Sequence, residues 1–178
     1  MRPFNEKKPA GLSSEIQKAL AKVSPKKNLR GDALAQAVVN LSRLFTTARA
    51  TLPSHYLDDP AHASAYLSYF LPVNLSKVQV LLEELPNDNH EISARPMAVL
   101  DLGCGPGTGA LALLDWLWHR NPERAKSLSV LAADTSHESL QDAKRLWEAY
   151  CNEVGILNQG LRCIEGNLEH FHFTIVSN

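Results

Sequence analysis

The chain has 178 residues, 44% hydrophobic and 21% charged, with a formal net charge of −1, the profile of a soluble globular protein long enough for one core. No run approaches the ~18 consecutive apolar residues of a membrane span, and Met1-Arg2-Pro3-Phe4-Asn5-Glu6-Lys7-Lys8 lacks the apolar segment of a secretory signal, so no membrane partner is expected and the cytoplasmic compartment is the default. The near-neutral sum hides a polarity: residues 1–50 hold ten Lys/Arg against three acids, a net of +7, and the remainder holds eight against sixteen, a net of −8. That pattern fits either a nucleic-acid-facing arm on an acidic body or a solvated, Lys-rich helical face.

Residues 1–11 contain Pro3, Pro9 and Gly11 without apolar periodicity and read as a disordered arm. A helical region is expected over residues 12–90. Ser13 and Ser14 are placed to cap a helix carrying Ile16, Leu20 and Val23, and Gly31-Asp32 opens a second carrying Leu34, Val38, Leu41 and Phe45. After the turn at Tyr56–Pro60, the residues Ala65, Tyr66, Tyr69 and Phe70 recur at helical spacing. Leu71-Pro72 then predicts the first turn of a new helix with a stripe of Leu75, Val78, Leu82 and Leu85, stopped at Pro86-Asn87-Asp88-Asn89.

From residue 91 the pattern is that of an α/β fold. Met97–Leu102 is a short apolar strand ending in glycines, followed by an apolar helix through Ala110–Trp118. Leu128–Ala133 is a second strand, closed by Asp134. Thr135-Ser136-His137-Glu138 has capping-box spacing for a helix with Leu140, Ala143, Trp147, Tyr150, Cys151 and Val154 on one face and Gly155 as its C-cap. Leu161–Glu165, ending in Gly166-Asn167, and Phe173–Val176, ending in Ser177-Asn178, complete four strands. Strands alternating with helices imply parallel βαβ units.

Ligands of open parallel sheets bind beyond the carboxyl ends of the strands, so the informative residues are those ending each run. The first is Asp101-Leu102-Gly103-Cys104-Gly105-Pro106-Gly107-Thr108-Gly109. Its glycines let a ligand approach the main chain, and the helix behind presents N–H groups. Gly105–Ala110 also matches the G-x-G-x-x-A of dinucleotide folds, but Asp134 follows Gly107 by 27 residues rather than the ~20 typical of NAD sites. An acid just before the glycines suits a cationic amino group and repels a pyrophosphate. No Gly-Lys-Ser/Thr follows, which excludes a P-loop.

On Asp101 with Gly103, Gly105 and Gly107, the sequence resembles the class I S-adenosylmethionine-dependent methyltransferases. The resemblance implies a helical N-terminal region followed by a Rossmann-like domain at 91–178, with S-adenosylmethionine as cofactor. It implies Asp134 as acceptor of the ribose hydroxyls, Thr135 beside it, and Asn167 with Leu168 at the adenine; Cys104 lies inside the glycine turn. Asn167 stands where an Asp is commoner, and its amide oxygen still accepts from an adenine amino group. With Tyr66-Leu67-Ser68-Tyr69-Phe70-Leu71-Pro72 ahead of a helix and of this motif, the chain looks like the methyltransferase-like family associated with the small ribosomal subunit, which implies rRNA or that subunit as partner. Mitochondrial members of that family bind an iron–sulfur cluster through C-terminal cysteines, a set this sequence does not supply.

Other features receive plainer readings. Cys104, Cys151 and Cys163 form no CxxC or Cys/His cluster, so free packed thiols are expected and no metal site. His170 and His172 read as a solvated pair. Trp116, Trp118 and Trp147 read as packing residues, and Tyr66 and Tyr69 as core in preference to a lid over the cofactor. Groups that align a methyl acceptor usually follow the fourth strand in this class, which makes Asn178 the candidate catalytic position and the sheet a truncated one. Three functions stay open at this stage: a methyltransferase acting on rRNA or the small subunit, a non-catalytic assembly factor retaining the cofactor fold, and an NAD-dependent oxidoreductase.

Overall fold

The computed structural model describes residues 12–23, 29–53, 55–84, 96–157 and 160–167. The expected arm at 1–11, the break at 86–89, the fourth strand at 173–176, and Leu168, His170, His172 and Asn178 lie outside the described residues.

Helix α1, Ser14–Lys22, starts where its sequence asks, with Ser13 Oγ accepting from Ile16 N–H at 3.1 Å. Helix α2 spans Gly31–Phe45. Helix α3, Pro60–Ala65, has proline in its first turn and Asp59 as cap, one carboxylate oxygen accepting from the N–H groups of Ala61 and His62 at 2.7 and 3.0 Å.

At Leu71 an α-helix begins with Pro72 in its first turn, as expected, but without a break from the helical chain before it. The chain runs from α3 through a π turn, Tyr66–Phe70, directly into α4, Leu71–Glu83, with Phe70 and Leu71 both in the right-handed helical region. A proline within an α-helix removes one bond and sets its ring against the carbonyl four residues back. The wider turn, in which Leu71 N–H donates to Tyr66 O, absorbs that misfit without ending the helix. It also leaves Tyr69 half exposed, edge-on to Phe70, so Tyr69 is not the core residue its spacing predicts.

The three strands β1 (Ala98–Leu102), β2 (Ser129–Asp134) and β3 (Leu161–Glu165) form a parallel sheet in the order β1-β2-β3, consistent with an α/β fold. Between them lie α5 (Thr108–Arg120), a short α6 (Pro122–Ser127) and α7 (His137–Val154). Helix α6 was not expected, although its start carries a local signal: Asn121-Pro122 is a cap and first-turn pair, and Asn121 Oδ1 accepts from Arg124 N–H at 3.3 Å. Helix α7 begins one residue later than the Thr135 capping box implies. Ser136 is the cap, its Oγ accepting from Ser139 N–H at 3.1 Å, because Asp134 Oδ1 draws Ser136 N–H to itself at 2.9 Å. Gly155 closes the helix in the left-handed region, as expected.

Asp101, Ala132 and Cys163 share one register row. Asp101 accepts from Ala110 N–H in α5 and Cys163 Sγ contacts Leu140 O in α7, so both helices cover the same face of the sheet. On the opposite face Leu100, Leu102 and Ile164 are each more than a third exposed. The covering helices carry the core: Leu111, Leu114 and Leu117 from α5 and Leu140, Leu146, Trp147 and Tyr150 from α7 pack with Val130 and Ala132, and with Ile16 and Ala19 of α1 and Leu71 and Leu75 of α4. Helix α1 lies on α7 and α4 on α5, so the N-terminal helices share the core of the α/β unit. A smaller cluster of Ala37, Leu41 and Ala65 with Phe45, Tyr56, Tyr66 and Phe70 joins α2 to α3. No helix among the described residues is long and apolar enough to cross a membrane.

Candidate ligand site at the strand ends

The turn after β1 is built by three glycines with positive φ, Gly103 (+69°), Gly105 (+53°) and Gly107 (+78°). Gly107 has a second constraint, since a Cβ there would stand 3.0 Å from Ala143 Cβ on α7. The turn is tied to its neighbour by Gly103 and Cys104 N–H groups, which donate to Ala133 O at 2.8 and 3.1 Å.

Asp134, at the end of β2, joins all three strand ends. Its Oδ2 accepts from Gly105 N–H at 2.8 Å and its Oδ1 from Ser136 N–H, while its carbonyl accepts from Gly166 N–H at 3.0 Å beyond β3. Asp101 accepts from Ala110 N–H at 3.2 Å. Burial raises the Asp101 carboxyl above its ordinary range, with the bond from Ala110 acting the other way and the charge of Asp134 adding to the rise. Among the described residues no Lys, Arg or His pairs with either carboxylate. Among the described residues the site is a partly buried region of negative charge with no cationic partner.

Asp101, Gly103, Cys104, Gly105, Gly107, Asp134 and Thr135 thus meet at one edge of the sheet, and Gly166 brings the adjacent Asn167 to the same edge at β3. Cys104 is buried, and burial together with the fields of Asp101 and Asp134 pushes its thiol far up, so it is held neutral and is no nucleophile. Neither Cys151 nor Cys163 forms a disulfide among the described residues. Trp147 is buried in the core, and Trp116 packs at the end of α4 with its Nε1–H donating to Glu83 at 2.8 Å and Arg120 over its ring.

Tyr66 packs against the core, the reading its spacing favours over a lid, and also reaches the glycine turn, its hydroxyl 3.4 Å from Thr108 Oγ1. One contributor has no signal in the sequence. Asp58 accepts from Ser136 Oγ at 2.7 Å, tying the 3-10 turn Tyr56–Asp58 to the start of α7. Burial, then the nearness of Tyr66 and Asp134, raises the Tyr56 phenol, whose ring stands edge-on to Phe45 at 5.4 Å. The helical region therefore stands over the glycine turn rather than beside it. No protein-family model matches this chain, and no curated protein matches it either.

Proposed function

We propose that the chain is an S-adenosylmethionine-binding, methyltransferase-like protein that acts on rRNA or the small ribosomal subunit. The observation that carries this reading is the pair of strand-end carboxylates, Asp101 and Asp134, flanking a positive-φ glycine turn with no cationic partner among the described residues. A ligand with an ammonium and a ribose diol answers that charge, whereas a pyrophosphate placed there meets two negative groups. Each Asp134 oxygen accepts one backbone N–H and keeps capacity for a hydroxyl donor, a charge-assisted bond of about 1.5–3 kcal/mol. Asp101 is positioned to receive the ammonium, whose charge would draw the raised carboxyl back toward its ordinary value. The bound sulfonium supplies an electrophilic methyl group; the protein's part is to hold the ligand, exclude water and orient an acceptor.

The RNA partner is supported by the net charge of +7 over residues 1–50. Part of that charge is spent internally, since Lys18 and Lys22 both pair with Glu153 on α7. Calorimetry of the chain with S-adenosylmethionine tests the site, and the expected result is saturable binding displaced by S-adenosylhomocysteine and not by NAD. Displacement by NAD alone favours the oxidoreductase reading instead. RNA association that weakens steeply with salt supports the partner, and its absence at low salt removes it. Cofactor and RNA binding without methyl transfer would select the assembly-factor reading.

A further inference from the structure

The glycine turn is roofed by a side chain that the α/β unit does not supply. Tyr66, in the π turn, sets its hydroxyl 3.4 Å from Thr108 Oγ1 and 3.9 Å from where a Cβ on Gly105 would stand. The ring is held from behind, with Phe70 stacked at 6.2 Å and Phe45 edge-on at 6.5 Å between centroids. The hydroxyl contact is longer than the ~2.7–2.8 Å of a strong O–H···O bond, so it is weak and readily exchanged. Thr108 is buried and is the first residue of α5. The rest of the turn faces the carboxylates of Asp101 and Asp134, which repel an anion, whereas the Tyr66–Thr108 edge offers two neutral hydroxyls able to donate.

We propose that Tyr66 and Thr108 together receive the α-carboxylate of the ligand's amino-acid end, each hydroxyl donating one bond in place of the weak bond they share. The inference rests on the reading of the site given above. It adds that the helical region touches the ligand directly and selects for ligands that carry an α-amino-acid group.

Two ligands separate the proposal from its foundation when titrated into the full 178-residue chain. S-adenosylhomocysteine carries the amino-acid end, and 5′-methylthioadenosine keeps the adenine, ribose and thioether without it. Tyr66→Phe preserves the ring contacts and removes only the hydroxyl. It is expected to weaken S-adenosylhomocysteine about tenfold and to leave methylthioadenosine within about twofold. Thr108→Ala, which removes the second hydroxyl, is expected to weaken S-adenosylhomocysteine by a similar factor and to leave methylthioadenosine within about twofold, and equal effects on both ligands count against the inference. Equal weakening of both ligands in Tyr66→Phe, or no weakening of either, overturns the inference and leaves the site reading standing. Parent affinities that are equal for the two ligands do the same. A parent chain that binds neither overturns the site reading and this inference with it.

Discussion

The Tyr150 hydroxyl on α7 donates to Asp115 Oδ1 on α5 at 2.8 Å, both side chains buried. The same carboxylate accepts from Ser13 Oγ at the head of α1 and from Gln79 Nε2 on α4, each at 2.6 Å. One side chain thus fastens four helices, two from each half of the chain.

Asp115→Ala leaves three donors from three elements without their acceptor; the buried Tyr150 hydroxyl costs about 1–3 kcal/mol, and the half-buried Ser13 and Gln79 donors, which water can reach, cost less. The expected loss of about 3 kcal/mol lowers the melting temperature by roughly 6–12 °C for a domain of this size. Tyr150→Phe removes one donor and is expected to cost about 1 kcal/mol. Urea denaturation of both variants and of the double variant measures this; strict additivity of the two losses counts against a shared network.

Stability is expected to fall at high pH. Burial raises the Tyr150 phenol above its ordinary value, with the charge of Asp115 and the bond to it adding to the rise, and burial likewise raises Tyr56. In the unfolded chain both phenols ionise near about pH 10, where the unfolded state then holds fewer protons than the folded one. Their contribution is therefore complete below that pH and is lost progressively as pH rises above it toward the raised folded-state values. Denaturation midpoints followed between about pH 8 and pH 11 are expected to decline, with a shallower decline in Tyr150→Phe; an identical slope in the variant contradicts the assignment.

Asp101 acts in the same direction at lower pH. Its carboxyl is raised by burial, so ionising it costs the fold, and stability rises as pH falls through its folded-state value. Asp101→Asn removes that charge and keeps an oxygen able to accept from Ala110 N–H. The variant is expected to melt higher than the parent while binding S-adenosylmethionine at least about tenfold more weakly. Calorimetry and a thermal scan read both effects, and a lower melting temperature refutes the account.

Two glycines of the turn separate backbone strain from crowding. Gly103 and Gly107 share positive φ, but a Cβ on Gly103 meets nothing within 4 Å while one on Gly107 meets Ala143. Gly103→Ala is expected to cost about 1 kcal/mol and Gly107→Ala about 2–3 kcal/mol. Equal costs in chemical denaturation would mean that α7 yields.

The strands, α5 and α7 were legible because their signals are local: apolar runs of five or six residues ending in Asp and Gly, and one-sided helical stripes. The edge at which Asp101 and Asp134 meet followed from the rule that parallel strands end together. Other features depend on the assembled fold. The Ser136 cap is chosen by the Asp134 carboxylate rather than by spacing, and Asp115 reads as an ordinary polar residue until four helices surround it. For Tyr66 periodicity favours the core packing that the fold shows, but it carries no information on which neighbouring loop that face overhangs, so the contact with Thr108 is not legible.

The π turn at Tyr66–Phe70 acts like a single extra residue threaded into an otherwise continuous helix running from Pro60 to Glu83. A π turn takes up one residue more than an α turn and keeps the helices on either side of it in phase, so deleting Ser68 would restore regular winding and leave Pro60–Ala65 and α4 close to their present relative rotation. Tyr66 would keep its place over the glycine turn, and Asp58 its place beside Ser136. The position of the roof over the strand ends is thus set by the helical phase between α3 and α4, which makes it tolerant of losing the extra residue and sensitive to one inserted into either flanking helix, where each residue turns the chain by about 100°.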